Sequence, residues 1–250
     1  MTPEPLNANE PEPKGMSEGG RLVGVFFEPT KTFEDVAARP RFWVPLILAI
    51  LIGLVLITLF TQHIGWDRMI RQQMEMNPQT QQLPADQREK AIEFWTRFGP
   101  VLGYGGVVLG TPLTFVILAA IYLGIVKGMM SAPVTFKQAF AVVAYGWMPH
   151  VVAGLLAIVV LFLKSPDDFR LDNPLVFNPG AFMDPVTSNK LLLSLATSFD
   201  LFTLWSLFLM GLGLKAAGGR KLSTGSAMVA VFLPWVAWTL CKALLAGLRG

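Results

Sequence analysis

Residues 191–214, LLLSLATSFDLFTLWSLFLMGLGL, decide how this chain is read. They lie between Lys190 and Lys215, and a single formal charge, Asp200, interrupts them near the middle. About 20 helical residues cross a hydrocarbon core of about 30 Å, so the run is long enough to span a membrane. A carboxylate inside such a run has two physical explanations. In the first, Asp200 stands at mid-membrane, where an insertion cost of about 2.5–3.5 kcal/mol demands a partner inside the bundle. In the second, Asp200 is the N-cap of a shorter span, 201–217, and residues 191–199 form an interfacial piece.

Four more runs of similar character occur in the 250 residues, so the chain reads as a polytopic, all-helical membrane protein of five spans. The spans fall at about 42–62, 99–126, 139–163, 191–214 (or 201–217) and 227–247. Composition agrees: 15% of residues are charged, against about 25% in a soluble domain. A net charge of +3 with no face of interleaved aromatic and basic residues gives no reason to expect nucleic acid as a partner. The single cysteine, Cys241, excludes an internal disulfide and a cysteine-rich metal site.

Residues 1–20, with four prolines and four glutamates, have the composition of a disordered tail. They lack the basic start and apolar stretch of a signal peptide, so the first span is expected to remain as an anchor. The membrane domain then covers 21–250. Lys127 and Lys137 in one short loop, and Lys215, Arg220 and Lys221 in another, have no acid beside them. Those loops should face the cytoplasm, which puts the N-terminus inside and the C-terminus outside the cytoplasmic (inner) membrane. Trp43, Trp66 and Trp95 fall at span ends, whereas Trp147, Trp205, Trp235 and Trp238 read as packing residues deeper in the bundle.

Outside the spans, Leu22, Val23, Val25, Phe26 and Phe27 are too few to cross but enough to lie in the interface. Thr32 with Asp35, and Thr135 with Gln138, have capping-box spacing, and STGSAM (223–228) is a weaker start signal. MNPQTQQLP (76–84) reads as a polar breaker, and ADQREKAIEFWTRF (85–98) as a separate surface helix. The proline-rich segment 165–185 reads as a non-helical cap outside the membrane.

Depth counting gives a candidate polar pair. Asp200 and His150 both fall near the middle of their runs, within about one turn of each other, so a contact between the third and fourth spans is expected, flanked by Thr197 and Thr203. It could be a structural hydrogen bond, a proton-sensitive lock or part of a polar path. Against it stands the N-cap reading, which predicts contacts from Asp200 to backbone amides at 202–203. Gly99/Gly103, Gly106/Gly110 and Gly124/Gly128 are small-xxx-small pairs suited to close helix packing, within the chain or between copies. Pro112 and Pro149 should kink their helices.

FFEPTKTFEDVAARPRFWVPLILAI (26–50), TFKQAFAVVAYGWMPHVVAGLL (135–156) and DLFTLWSLFLMGLGLKAAGGRKLSTGSAMVAV (200–231) resemble the start, third span and fourth span of bacterial-type Yip-domain (Ypt/Rab-interacting-protein-like) proteins. The resemblance implies five spans and a cytoplasmic N-terminus. Eukaryotic members are linked to Rab GTPases through a longer N-terminal region and an Asp-Leu-Tyr/Trp-Gly-Pro type motif. Here the nearest stretch is FGPVLGY (98–104), so Rab binding is not carried over. Two histidines, one cysteine and no HExxH, GxSxG or phosphate-binding loop point away from enzymatic, metal or cofactor chemistry. The expected function is a membrane-organising or scaffold component with lipids, a membrane-protein partner or a second copy of the chain as partners. The rival is a small-solute or ion transporter that uses the midplane polar groups.

Overall fold

The computed structural model describes residues 15–75, 80, 82–165, 169 and 173–249. Among these there is no strand. The helices are α1 (Glu18–Phe27), α2 (Pro29–Ala38), α3 (Trp43–His63), α4 (Trp66–Glu75), α5 (Ala85–Gly105), α6 (Thr111–Leu123), α7 (Phe136–Gly146), α8 (Met148–Leu163), α9 (Lys190–Ser198), α10 (Leu201–Gly218) and α11 (Thr224–Arg249). Five helical stretches are long and apolar enough to cross a membrane, at Trp43–His63, Ala85–Met129, Phe136–Leu163, Leu201–Lys221 and Thr224–Leu248.

The spans alternate in direction, and a few contacts fix their levels. The third span runs parallel to α3, with Phe42 against Phe140, Gly154 against Ile52 and Leu56, and His63 against Phe162. The fourth runs antiparallel to the third: Gly213 lies beside Val142, Gly146 against Met210, and His150 reaches Ser206. α11 returns beside it, with Met228 at Gly211, Trp235 at Phe199 and Leu191 at Gly247. α7 is the centre, and every residue from Ala139 to Gly146 is buried. Its first turn is closed by the Thr135–Gln138 capping box, whose Gln138 side chain also donates to the Ala37 carbonyl at 2.9 Å. Ser223, whose hydroxyl accepts from the Ser226 amide, opens α11.

The second span differs from its sequence reading. The surface helix at 85–98 is not separate. It continues through Pro100 into one helical rod, Ala85–Met129, of 45 residues. At 1.5 Å per residue that is about 68 Å, so the rod projects well beyond a bilayer. Its projecting start pairs with α4, where Arg71 bridges Asp67 and Glu89. Wider π turns interrupt the rod at Gly106–Gly110 and Gly124–Met129. The first comes just before Pro112, where the helical ladder loses a donor.

Other expectations are corrected too. The segment 1–20 was read as one tail; residues 1–14 lie outside the described residues, but Ser17 caps α1 and residues 18–20 are helical. Thr32 and Asp35 do not open a helix. α2 starts at Pro29, which suits a first turn that needs no amide donor, and Asp35 turns to Arg21 instead. Trp238 is 68% exposed on the bundle surface, not packed inside it. Parts of the 76–84 breaker and of the 165–185 cap lie outside the described residues.

Candidate functional site

A helix break inside the third span and another just ahead of the fourth carry the polar groups. The third span stops at Gly146, turns at Trp147 and restarts at Met148. Pro149 sits in the first turn of the new helix, where its missing donor costs nothing, and the His150 amide reaches back to the Trp147 carbonyl at 2.9 Å. The His150 ring stacks on Trp147 at 4.2 Å between centroids, and its Nδ1 lies 2.9 Å from the Ser206 hydroxyl of α10. Ser206 is 2% exposed.

α9 and α10 are separate helices, and Asp200 is the N-cap of α10, where the fourth apolar stretch begins. Its Oδ1 accepts from the amides of Phe202 at 3.0 Å and Thr203 at 3.1 Å, and from the Thr203 hydroxyl at 3.4 Å. The Asp200 carbonyl takes the Leu204 amide at 2.9 Å. The remaining amide, that of Leu201, donates to the Phe177 carbonyl at 3.1 Å from the loop that follows the third span. The three amides of the first turn, Leu201 to Thr203, which a helix leaves without intrahelical partners, are therefore filled. The expected pairing of Asp200 with His150 is not the arrangement found: each carries its own hydrogen bonds, to backbone amides in one case and Ser206 in the other. Thr197 bonds to carbonyls of its own helix.

Asp200 stands at the start of the fourth apolar stretch, Leu201–Lys221, as its N-cap. α9 precedes it as a separate helix that packs against α11 as far as Gly247.

Only part of the glycine set approaches a neighbour. A Cβ on Gly99 would lie 3.1 Å from the Trp66 ring, and one on Gly103 2.7 Å from it and 2.6 Å from Ile57. At Gly106, Gly110, Gly124 and Gly128 an added Cβ meets nothing described within 4 Å. Approaches at least as close occur at glycines outside the set, such as Gly146 against Met210 and Gly213, where a Cβ would lie 2.6 Å from Val142.

A further polar cluster ties α1 and α2 to the bundle. Arg21, 1% exposed, donates through Nε to Asp35 Oδ2 at 2.6 Å and reaches Glu18 at 3.4 Å. Glu18 accepts from the Tyr145 hydroxyl of α7 at 2.6 Å, and Asp35 also receives Arg39 and the Met16 amide. Burial alone pushes the Asp35 carboxyl up, but Arg21, the Met16 amide and Arg39 outweigh it and hold the carboxyl below the usual carboxylate range. The sequence held one signal for this site, an arginine at the head of the apolar run RLVGVFF with an aspartate one short helix later.

The sequence profile of the Yip1 domain matches residues 23–245. A relative named "Membrane protein YknW", from Bacillus subtilis (strain 168), is 27% identical over 213 residues, covering 84% of this chain and 83% of its own. No solved structure matches.

Proposed function

The chain belongs to the Yip1-domain family of membrane proteins, and from that premise we propose that it is a non-enzymatic membrane-organising or scaffold component, holding lipid or protein partners. Its place is the cytoplasmic (inner) membrane, with the N-terminus inside and the C-terminus outside, as the Lys- and Arg-bearing loops at 127–138 and 215–226 favour.

One observation carries this reading over transport. Transporters with broken helices leave half-helix N-termini free at the midplane, where they hold substrate. Here Asp200 and the Phe177 carbonyl fill the amides of that start, and His150 is taken up by Ser206. The polar groups are spent on helix geometry. Purification from native membranes should recover a lipid or protein in fixed ratio to the chain, and proteoliposomes should conduct protons and alkali cations no faster than empty vesicles. Flux that Asp200→Asn abolishes would establish the transport reading instead.

A further inference from the structure

Besides its five spans, the chain has a helical hairpin, α1–α2, that stands along the bundle instead of lying flat at its end. Three contacts give its direction. Ala37, at the end of α2, accepts from Gln138 in the first turn of α7. Phe33 lies against Gly213, level with Val142. Phe26, near the tip, packs edge-on against Trp205 at 5.4 Å. From Gly213 to Trp205 is eight residues of α10, roughly 12 Å along the bundle axis. Glu18, at the other end of α1, is back at Tyr145, whose side chain leans toward the start of its helix. α1 therefore enters beside the third and fourth spans, turns at Glu28 and returns as α2.

The level of the membrane surface at this end follows from α3. Its 21 residues measure about 31 Å, the thickness of the hydrocarbon, so it must be submerged from Trp43 onward. Phe42 is level with Phe140, and Val142, two residues on in the same helix, lies beside Gly213. The hairpin tip, level with Trp205, is thus below that surface. Its inner face is core: Val25, Phe33 and Val36 are fully buried. Its outer face on α1 is Gly19, Val23 and Phe27, spaced one turn apart, with Val23 60% and Phe27 81% exposed. Glu28 and Lys31, at the tip, neutralise each other at 2.8 Å, and Lys31 has a long stem with which to reach upward.

We infer that α1–α2 is a re-entrant hairpin whose Val23–Phe27 stripe is embedded among the acyl chains of the leaflet on the N-terminal side. Lipid is the one occupant that suits both observations: an apolar stripe left open by the chain, and its level beside a spanning helix. The hairpin adds cross-section to one leaflet only. Arg21 and Asp35, at its base, clip α1 to α2, and Glu18 ties them to Tyr145 of the bundle. The inference does not rest on the scaffold reading, since it concerns where a helix lies and holds for a transporter equally.

The test uses the full chain with Cys241→Ser, in vesicles of phosphatidylethanolamine and phosphatidylglycerol. Single cysteines replace Val23, Phe27, Glu34, Leu109 or Lys221, and each carries a nitroxide label. Leu109, 73% exposed on the second span, is the lipid reference, and the exposed Lys221 is the water reference. All five side chains are exposed, so labelling removes no core contact. At Val23 and Phe27 collision with oxygen should exceed collision with a water-soluble nickel chelate, matching Leu109, and Glu34 should fall nearer Lys221. Nickel-chelate access at Phe27 equal to that at Lys221 overturns the inference. Low access to both reagents at Phe27 also overturns it, because a protein surface, such as a second copy, then covers the stripe.

Discussion

Arg21 and Asp35 face each other across the turn between α1 and α2, 2.6 Å apart, with side chains only 2% and 11% exposed. Removing one member of such a pair leaves a buried charge without its partner, at a cost of about 3–5 kcal/mol. Replacing both by apolar residues of similar size removes the attraction and the burial penalty together. Arg21→Met or Asp35→Leu alone should therefore lower the melting temperature of the detergent-solubilised protein sharply. The double variant should lose clearly less than the sum of the two. Additive losses would mean that the pair is not coupled.

Asp35 also sets an acid limit on hairpin docking. Its folded carboxyl titrates below the usual aspartate range, so the stabilisation it brings is complete above that range and is lost as pH falls through the lower, folded value. The charged groups around it are Arg21 and Arg39, and through Glu18 also Arg41, while Tyr145 faces Glu18 as a neutral hydroxyl. Docking should be flat from neutral pH down to the usual aspartate range and loosen only below it. Thiol protection of Val36→Cys, in the Cys241→Ser background, reads this directly. Loosening at mildly acidic pH would assign the sensitivity to another group.

At Asp200 the question is which property of the residue is used. Asn caps a helix as well as Asp, whereas Ala loses the cap at a cost of about 1 kcal/mol. Asp200→Asn should thus leave thermal stability almost unchanged, and Asp200→Ala should lower it. His150→Gln combined with Asp200→Ala should be closer to additive, because no hydrogen bond joins them and only the field of the Asp200 carboxylate reaches the His150 ring. His150→Gln combined with Ser206→Ala should not be additive.

The sequence carried the spans because they are a property of local composition. Phe42–Gln62 was expected and Trp43–His63 is found; 227–247 was expected and lies within Thr224–Arg249. Thr135 with Gln138 was equally legible, since a capping box is written in four consecutive residues. Asp200 was half legible. Its N-cap spacing is local, but that a separate helix precedes it and packs against α11 is not. What could not be read joins distant segments: Glu18 with Tyr145, 127 residues apart, and the Phe177 carbonyl with the Leu201 amide. Backbone carbonyls leave no residue signature at all, so the acceptor that completes the start of α10 was invisible in principle.

Thr32 offers a gain instead of a loss. It is fully buried between α1 and α2, and among the described residues its hydroxyl has no hydrogen-bond partner. A buried donor left unsatisfied costs about 1–3 kcal/mol. Thr32→Val keeps the branched shape and removes the hydroxyl, so it should raise the melting temperature. Thr32→Ser keeps the hydroxyl, loses a methyl and should lower it. A fall with valine would show that the hydroxyl is satisfied after all.

The glycines give the sharpest contrast, because their spacing is alike and their surroundings are not. A Cβ at Gly213 would lie 2.6 Å from Val142 and 2.8 Å from Phe33, both fully buried and with no room to retreat. Overpacking of this kind costs about 1–3 kcal/mol, which exceeds the gain of about 0.8–1 kcal/mol that alanine brings to a helix. Gly213→Ala should therefore destabilise the protein and loosen α2 from α10. At Gly110 nothing described lies within 4 Å of an added Cβ, so only the helix preference acts. Gly110→Ala should be neutral or slightly stabilising in the same thermal assay. Equal losses at the two positions would mean that the open face of the second span is packed against another protein surface in the membrane.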